Sequence, residues 1–218
     1  MMEFWHLIGR GVDKRDVVLD DKDRVRFIHN LYVFNDLNPT PNFILPGRHE
    51  STRRRDLLVD IHAFCLMSNH YHLLVTERVE GGISLFMRKL NMGYTKYFNE
   101  KYERSGALWQ GKYRKVLIER DAHFLYVPFY IHLNPLDYIA PEWRRGEVKD
   151  ARKALKSLLE YRWSSHLDYL GIRNFPSIIR MNVLSPILGT RGQYERAAVD
   201  IIRNSDLAHD SELLEYKN

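Results

Sequence analysis

Residues 57–76, LLVDIHAFCLMSNHYHLLVT, constrain the fold more than any other stretch, because two apolar runs of strand length meet at the turn formers Ser68 and Asn69. The pattern predicts strands over 57–67 and 70–76 joined as a tight hairpin. Strand side chains alternate between faces, so His70 and His72 point one way while Tyr71 points into the core. Two neutral imidazoles on one face can hold a divalent metal, but a further donor has to come from elsewhere in the fold. Without it they are two polar residues on a solvated face.

The flanking segments supply the rest of a sheet. FWHLI at 4–8 reads as a first strand, and Asp20 or Asp21 caps a helix in which Val25, Ile28, Leu31 and Tyr32 recur at helical spacing through about Asn35. After Gly81 and Gly82, the residues Ile83, Phe86, Leu90 and Tyr94 mark an amphipathic helix. GALWQGKYRKVLIE at 106–119 reads as a fourth strand, with Lys112, Arg114 and Lys115 interleaved among Trp109, Tyr113, Val116 and Ile118. Aromatics mixed with cations suit stacking on bases and contact with phosphates, although a half-buried basic strand carries the same letters. The order strand, helix, strand, strand, helix, strand predicts an α+β, ferredoxin-like β-α-β-β-α-β antiparallel sheet, with both helices on one face and the third strand central.

Between the first helix and the second strand, 36–56 is a long proline-bearing loop that ends in Arg53, Arg54 and Arg55, either a solvated run or an arm that tracks phosphates. His62 reads as a structural histidine. Cys65, the only cysteine, cannot form an internal disulfide and reads as a core position in a reducing, cytoplasmic setting. A formal charge of +5 raises the expectation of an anionic partner. No apolar run approaches the roughly 20 residues that span a bilayer, so no membrane partner is expected.

A further apolar segment, 121–138, predicts a helix that ends near Asn134, since Pro135 disfavours helical geometry in its predecessor. Tyr130 and Asn134 are four residues apart and share a helix face. Packed beside the third strand, Asn134 could offer its amide oxygen as a third metal ligand next to His70 and His72, and Tyr130 would stand one turn away, placed to attack a phosphodiester. The plainer reading makes Tyr130 a core aromatic and Asn134 a helix cap. Pro128 implies that the helix begins near it or that Tyr130 is aimed differently. Tyr126, Tyr94 and Tyr97 are the alternative nucleophiles, and no residue stands out as a general base.

Taken together, SNHYH, the pair Tyr130 and Asn134 within YIHLNP, YTKYFNEKY, LWQGKY and YRWSSHLDYLG resemble the REP-associated tyrosine transposases, a branch of the single-tyrosine HUH transposases, from about Phe4 to Gly171. The resemblance implies an HUH endonuclease fold with an added catalytic helix, acting on single-stranded, hairpin-containing DNA with Mg²⁺ or Mn²⁺ as cofactor. The family's metal-binding histidines fall on His70 and His72, its polar ligand on Asn134 and its nucleophile on Tyr130. Tyr130 would then cut one strand, retain the 5′ phosphate as a phosphotyrosine, free a 3′ hydroxyl and rejoin strands without ATP. Arg53, Arg54, Arg55, Trp109, Lys112, Arg114 and Lys115 are the candidate DNA contacts, the setting is cytoplasmic and nucleoid-associated when DNA is bound, and a homodimer is one open arrangement. The alternative is a host-retained protein that grips single-stranded or hairpin nucleic acid without turnover.

Residues 1–140 are expected to form the nuclease domain and 141–218 a basic helical extension packed on it, with Ala154, Leu155, Leu158 and Leu159 at helical spacing, Trp163 anchoring the tail, and a small helical ending over 183–204.

Overall fold

The apolar run at the start of the chain forms β1 (Phe4–Arg10), whose central residues His6 to Gly9 are buried. The computed structural model describes residues 2–38, 55–119 and 121–204, with the side chains of 121–123 left aside. Arg53 and Arg54 lie outside the described residues. α1 (Asp21–Val33) starts at a reciprocal cap: the Asp20 carboxylate accepts from the Asp23 amide at 2.9 Å, and the Asp23 carboxylate accepts from the Asp20 amide at 3.3 Å. β2 (Val59–Leu66) and β3 (His70–Glu77) form the hairpin, α2 (Gly82–Lys101) follows, and β4 (Arg114–Leu117) completes the sheet.

The strand order is β2-β3-β1-β4 and all three pairings are antiparallel. This is the ferredoxin-like arrangement, with β3 central and hydrogen-bonded to both β2 and β1. Odd-numbered residues of β3 face α1 and α2, where Tyr71 packs on Phe27 and donates its hydroxyl to Asn91 at 2.7 Å. Even-numbered residues face the opposite side, which is covered by α3 (Asp121–Leu133). α1 and α2 are tied together at the buried Asp23, which accepts from Lys101, Tyr97 and Tyr102 at 2.6–2.9 Å.

Two expectations change. The fourth strand is four residues long rather than spanning 106–119, because Gly106 and Gly111 adopt positive φ (87° and 63°) and break the extended run. The freed segment folds inward as a loop, with Gln110 N–H donating to the Arg10 carbonyl and Trp109 buried among Phe27, Tyr71 and Tyr94. α3, for its part, does not start at Pro128 but runs through it. The proline removes one backbone donor from the middle of a helix that is otherwise apolar and packed.

After α3, two 3-10 turns (Asn134–Tyr138 and Pro141–Arg145) lead to α4 (Ala151–Ser157), α5 (His166–Tyr169), α6 (Ser185–Leu188) and α7 (Arg191–Arg203). Leu155, Leu158, Tyr169, Tyr194 and Ile202 belong to the same apolar cluster as the sheet. Between α3 and α7 lies a buried polar network: the Tyr194 hydroxyl bonds His132 Nδ1 at 2.8 Å and His166 Nδ1 at 2.9 Å, while His132 Nε2 meets Ser165 Oγ at 2.7 Å. His62 is structural, bridging Thr76 Oγ1 and the Arg180 carbonyl.

Gly9 sits opposite Tyr71 in the β1–β3 register, and a Cβ there would overlap the Tyr71 ring. Gly9→Ala is expected to destabilise the fold by about 1–3 kcal/mol in urea unfolding, the usual cost of overpacking; an unchanged midpoint would show that the ring has room to shift. Burial also holds His132 well below its ordinary range and lowers His166 to about 4. The unfolded chain therefore binds more protons than the native one from about pH 6.5 down to 4, so stability is fully present above that window and is lost as pH falls through it. Thermal melts at pH 7.5, 6, 5 and 4.5 should show a falling midpoint, and a flat profile would contradict neutral burial of these rings.

Candidate active site on the helix-covered face of the sheet

The histidine pair lies at a hairpin tip that is fixed from three directions. Gly11 N–H donates to the Asn69 carbonyl at 2.8 Å, Val17 N–H donates to the Ser68 carbonyl at 2.8 Å, and Ser68 N–H is met by the Tyr138 hydroxyl at 2.7 Å. Asn69 Nδ2 also donates to the Lys14 carbonyl at 3.1 Å, which aims Asn69 Oδ1 at His70 Nδ1, 2.6 Å away. An amide oxygen only accepts, so Asn69 favours the His70 proton on Nδ1, with the other ring nitrogen turned toward Asn134.

His70 and His72 share a face, with ring centroids 4.9 Å apart and nearly perpendicular. His72 is buried; its Nδ1 is 2.9 Å from His6 Nε2, and its Nε2 is a buried nitrogen with no hydrogen-bond partner. Burial, with the nearby Arg10 charge, pushes His70 down to about 3, while Asp137 and a hydrogen bond with Asn134 act the other way. Burial and the neighbouring His70 and His6 rings hold His72 well below its ordinary range. Both imidazoles are neutral at physiological pH and keep lone pairs.

The structure brings Tyr130 and Asn134 to the same place. The Tyr130 ring stands edge-on to His72 at 5.5 Å and to His6 at 6.0 Å. Asn134, fully buried at the start of the turn after α3, donates Nδ2 to the Tyr130 carbonyl at 2.7 Å, and its Oδ1 accepts from Arg144 at 3.0 Å. That bond to the last turn of α3 fixes which way the amide oxygen faces, toward the Arg144 and His70 side. Tyr130 is only 1 % exposed and lies among His6, His72, Tyr126 and Trp143, with the Arg144 guanidinium 5.3 Å from its ring centroid.

Among the described residues no three His, Cys, Asp or Glu side chains form a metal-binding group. The set that converges is two imidazoles and an amide oxygen. It fits a divalent cation on one observation above the others, the buried His72 Nε2 with nothing to bond to.

The remaining sequence candidates are placed differently. Arg55 is half-buried, stacks 3.7 Å over the Tyr32 ring and donates to the Tyr32 carbonyl at 2.8 Å, so it secures the end of α1. Trp109 has an enclosed ring whose Nε1 donates to the Asn91 carbonyl at 3.2 Å. Lys112 and Lys115 are exposed, with the Lys115 ammonium 3.8 Å over the Trp5 ring, and Arg114 is opposite Ile8 on the β1–β4 register. Farther along the chain, Arg152 and Lys156 of α4 and Arg196 and Arg203 of α7 line a groove floored by Leu155, Leu159 and Val199.

Three residues at the site carry no sequence signal of their own. Arg10 is opposite His70 and His6 is diagonal to His72 across β1–β3, relations that appear only once the register is known. Arg144 comes from the second turn after α3, Pro141–Arg145, and is held by two bonds to Asp137 at 2.9 and 2.7 Å. The pattern FWHLIGR does place His6 and Arg10 on one face of a strand, and that was the available clue.

Residues 51–134 match the family model described as "Transposase IS200 like". No curated protein matches the chain. Among solved structures, the chain is similar to one titled "Structure of the REP associates tyrosine transposase bound to a REP hairpin", with a TM-score of 0.48 and 14 % identity over 82 % of this chain and 85 % of that one. Among the described residues, no helix is long and apolar enough to cross a membrane. The matched segment ends at Asn134 and contains the histidine hairpin and Tyr130, and over that span this chain is similar to the IS200-like transposases.

Proposed function

We propose that this chain is a metal-dependent nuclease of the transposase type, cutting and rejoining single-stranded DNA through Tyr130. The observation that supports it is the convergence of His70, His72, Asn134 and Tyr130 on one face of the sheet, contributed by segments about 60 residues apart in sequence, with Arg10 and Arg144 beside them. His70, His72 and Asn134 would hold the cation, and a mixed set of two imidazoles and one amide oxygen suits Mn²⁺ better than Mg²⁺. When bound, the ion polarises the scissile phosphate.

The chain's own groups supply the rest. Arg144 and Arg10 offset charge on the phosphate oxygens. The Tyr130 phenol oxygen bonds to phosphorus and gives up its proton, while the phosphorus bond to the 3′ oxygen breaks and that oxygen leaves as a hydroxyl. The phosphotyrosine keeps the energy of the broken diester, so an incoming 3′ hydroxyl reverses the step. Tyr130 is enclosed, with the Trp143 ring 6.4 Å from its own, so a phosphate reaches the phenol only when the Trp143 side chain moves aside while Arg144 stays on Asp137. A hairpin-containing strand is the substrate class proposed, with the exposed Lys112 and Lys115 as backbone contacts.

The enclosure of Tyr130 favours a second reading, a binding protein that holds single-stranded or hairpin DNA without cutting it. Incubating the protein with an end-labelled hairpin strand and Mn²⁺, then separating under denaturing conditions, distinguishes the two. The nuclease reading expects a covalent adduct that disappears in Tyr130→Phe while DNA binding persists. Binding without any adduct in the wild type establishes the second reading. An adduct that survives Tyr130→Phe moves the chemistry to Tyr126, beside Tyr130 on α3, since Tyr94 and Tyr97 lie on α2 across the sheet with their hydroxyls on Val17 and Asp23.

A further inference from the structure

We infer that His6 is a positioning residue for His72: its Nε2 accepts a hydrogen bond from His72 Nδ1–H and thereby leaves the His72 Nε2 lone pair facing the cation site. The inference rests on the metal reading above for its consequence, but the hydrogen bond itself stands on the fold alone. The two rings are stacked at 5.1 Å with an interplanar angle of 20°, and their facing nitrogens are 2.9 Å apart. Both residues are buried, at 0 % and 2 % exposure, and two ring nitrogens this close hold a single proton between them.

That proton has two places to sit. On His6 it would leave His72 with an N–H at Nε2, which cannot ligate a cation. On His72 it leaves Nε2 bare. One feature favours the second. His70 has the same arrangement, its Nδ1 engaged by Asn69 Oδ1 at 2.6 Å. The two histidines of the pair thus have their Nδ1 positions occupied by different neighbours, an amide for one and a third imidazole for the other. With Nε2 accepting, His6 carries its own proton on Nδ1, a buried nitrogen with no hydrogen-bond partner, so the bond to His72 has to offset a desolvated N–H that the apolar strand leaves unmatched.

Long-range ¹⁵N–¹H spectra of the histidine-labelled full chain, recorded without metal, test the bond directly. The expected result is a protonated Nδ1 and bare Nε2 on His72, with the population redistributed in His6→Leu; a wild-type His72 protonated at Nε2 overturns the inference. In parallel, Mn²⁺ affinity is read from the free-ion electron paramagnetic resonance signal. His6→Leu should weaken it by about 10–100-fold, as loss of an outer partner typically does. His6→Gln, which keeps an acceptor oxygen, should recover most of the loss. Equal loss in both variants, with melting temperatures preserved, would leave His6 a packing role only and overturn the inference. If the wild type takes up no more Mn²⁺ than His72→Ala, the metal reading fails, while the spectra still decide the His6–His72 bond.

Discussion

Pairing of the first strand with the third is the constraint on which this molecule rests. Its register places Arg10 against His70, Gly9 against Tyr71 and Ile8 against His72. Side chains alternate along both strands, so this one alignment sends Tyr71 into the layer under α1 and α2 and sends the histidines and Arg10 to the layer under α3. A slip of one residue would bury the imidazoles among Phe27 and Tyr94 and put a phenol where the site now lies. Gly9 protects the alignment, since its missing side chain is the space that Tyr71 fills.

Much of this was legible in the residues. The hairpin, the alternation of His70, Tyr71 and His72, and the order of strands and helices follow from periodicity and turn formers, and the structure has them. The fourth strand was overextended because the letters of 106–113 alternate as a strand would, and nothing local shows that Gly106 and Gly111 turn left-handed. The same letters make Trp109 resemble a base-stacking surface; burial among three aromatics is a tertiary outcome that a strand-like pattern does not announce. Pro128 reads locally as a helix start, yet a helix packed against a sheet through an apolar face retains its course when one backbone donor is missing.

The site shows a similar division. His70, His72, Tyr130 and Asn134 form a short list because each sits in a recognisable local pattern. His6, Arg10 and Arg144 do not, since each is a single residue whose relevance depends on which strand or turn ends up beside it. Arg144 joins several parts of the site: held by Asp137, it touches the Asn134 amide oxygen and lies by the Tyr130 ring, so the Pro141–Arg145 turn is part of the site's wall.

The outer edge of β2 has a further consequence. Trp163 accepts from Leu66 N–H, Ser165 N–H donates to the Phe64 carbonyl, Tyr169 donates to the His62 carbonyl, and Arg180 N–H donates to the Ile61 carbonyl. These bonds use the backbone groups through which a sheet would otherwise be continued into a neighbouring molecule. Self-association by strand addition is closed on this side. The opposite border is only four residues long and carries a lysine, a poor template for it. Among the described residues, then, edge-to-edge joining of two sheets is blocked on one border and disfavoured on the other, so the histidines sit on a sheet built to stand by itself.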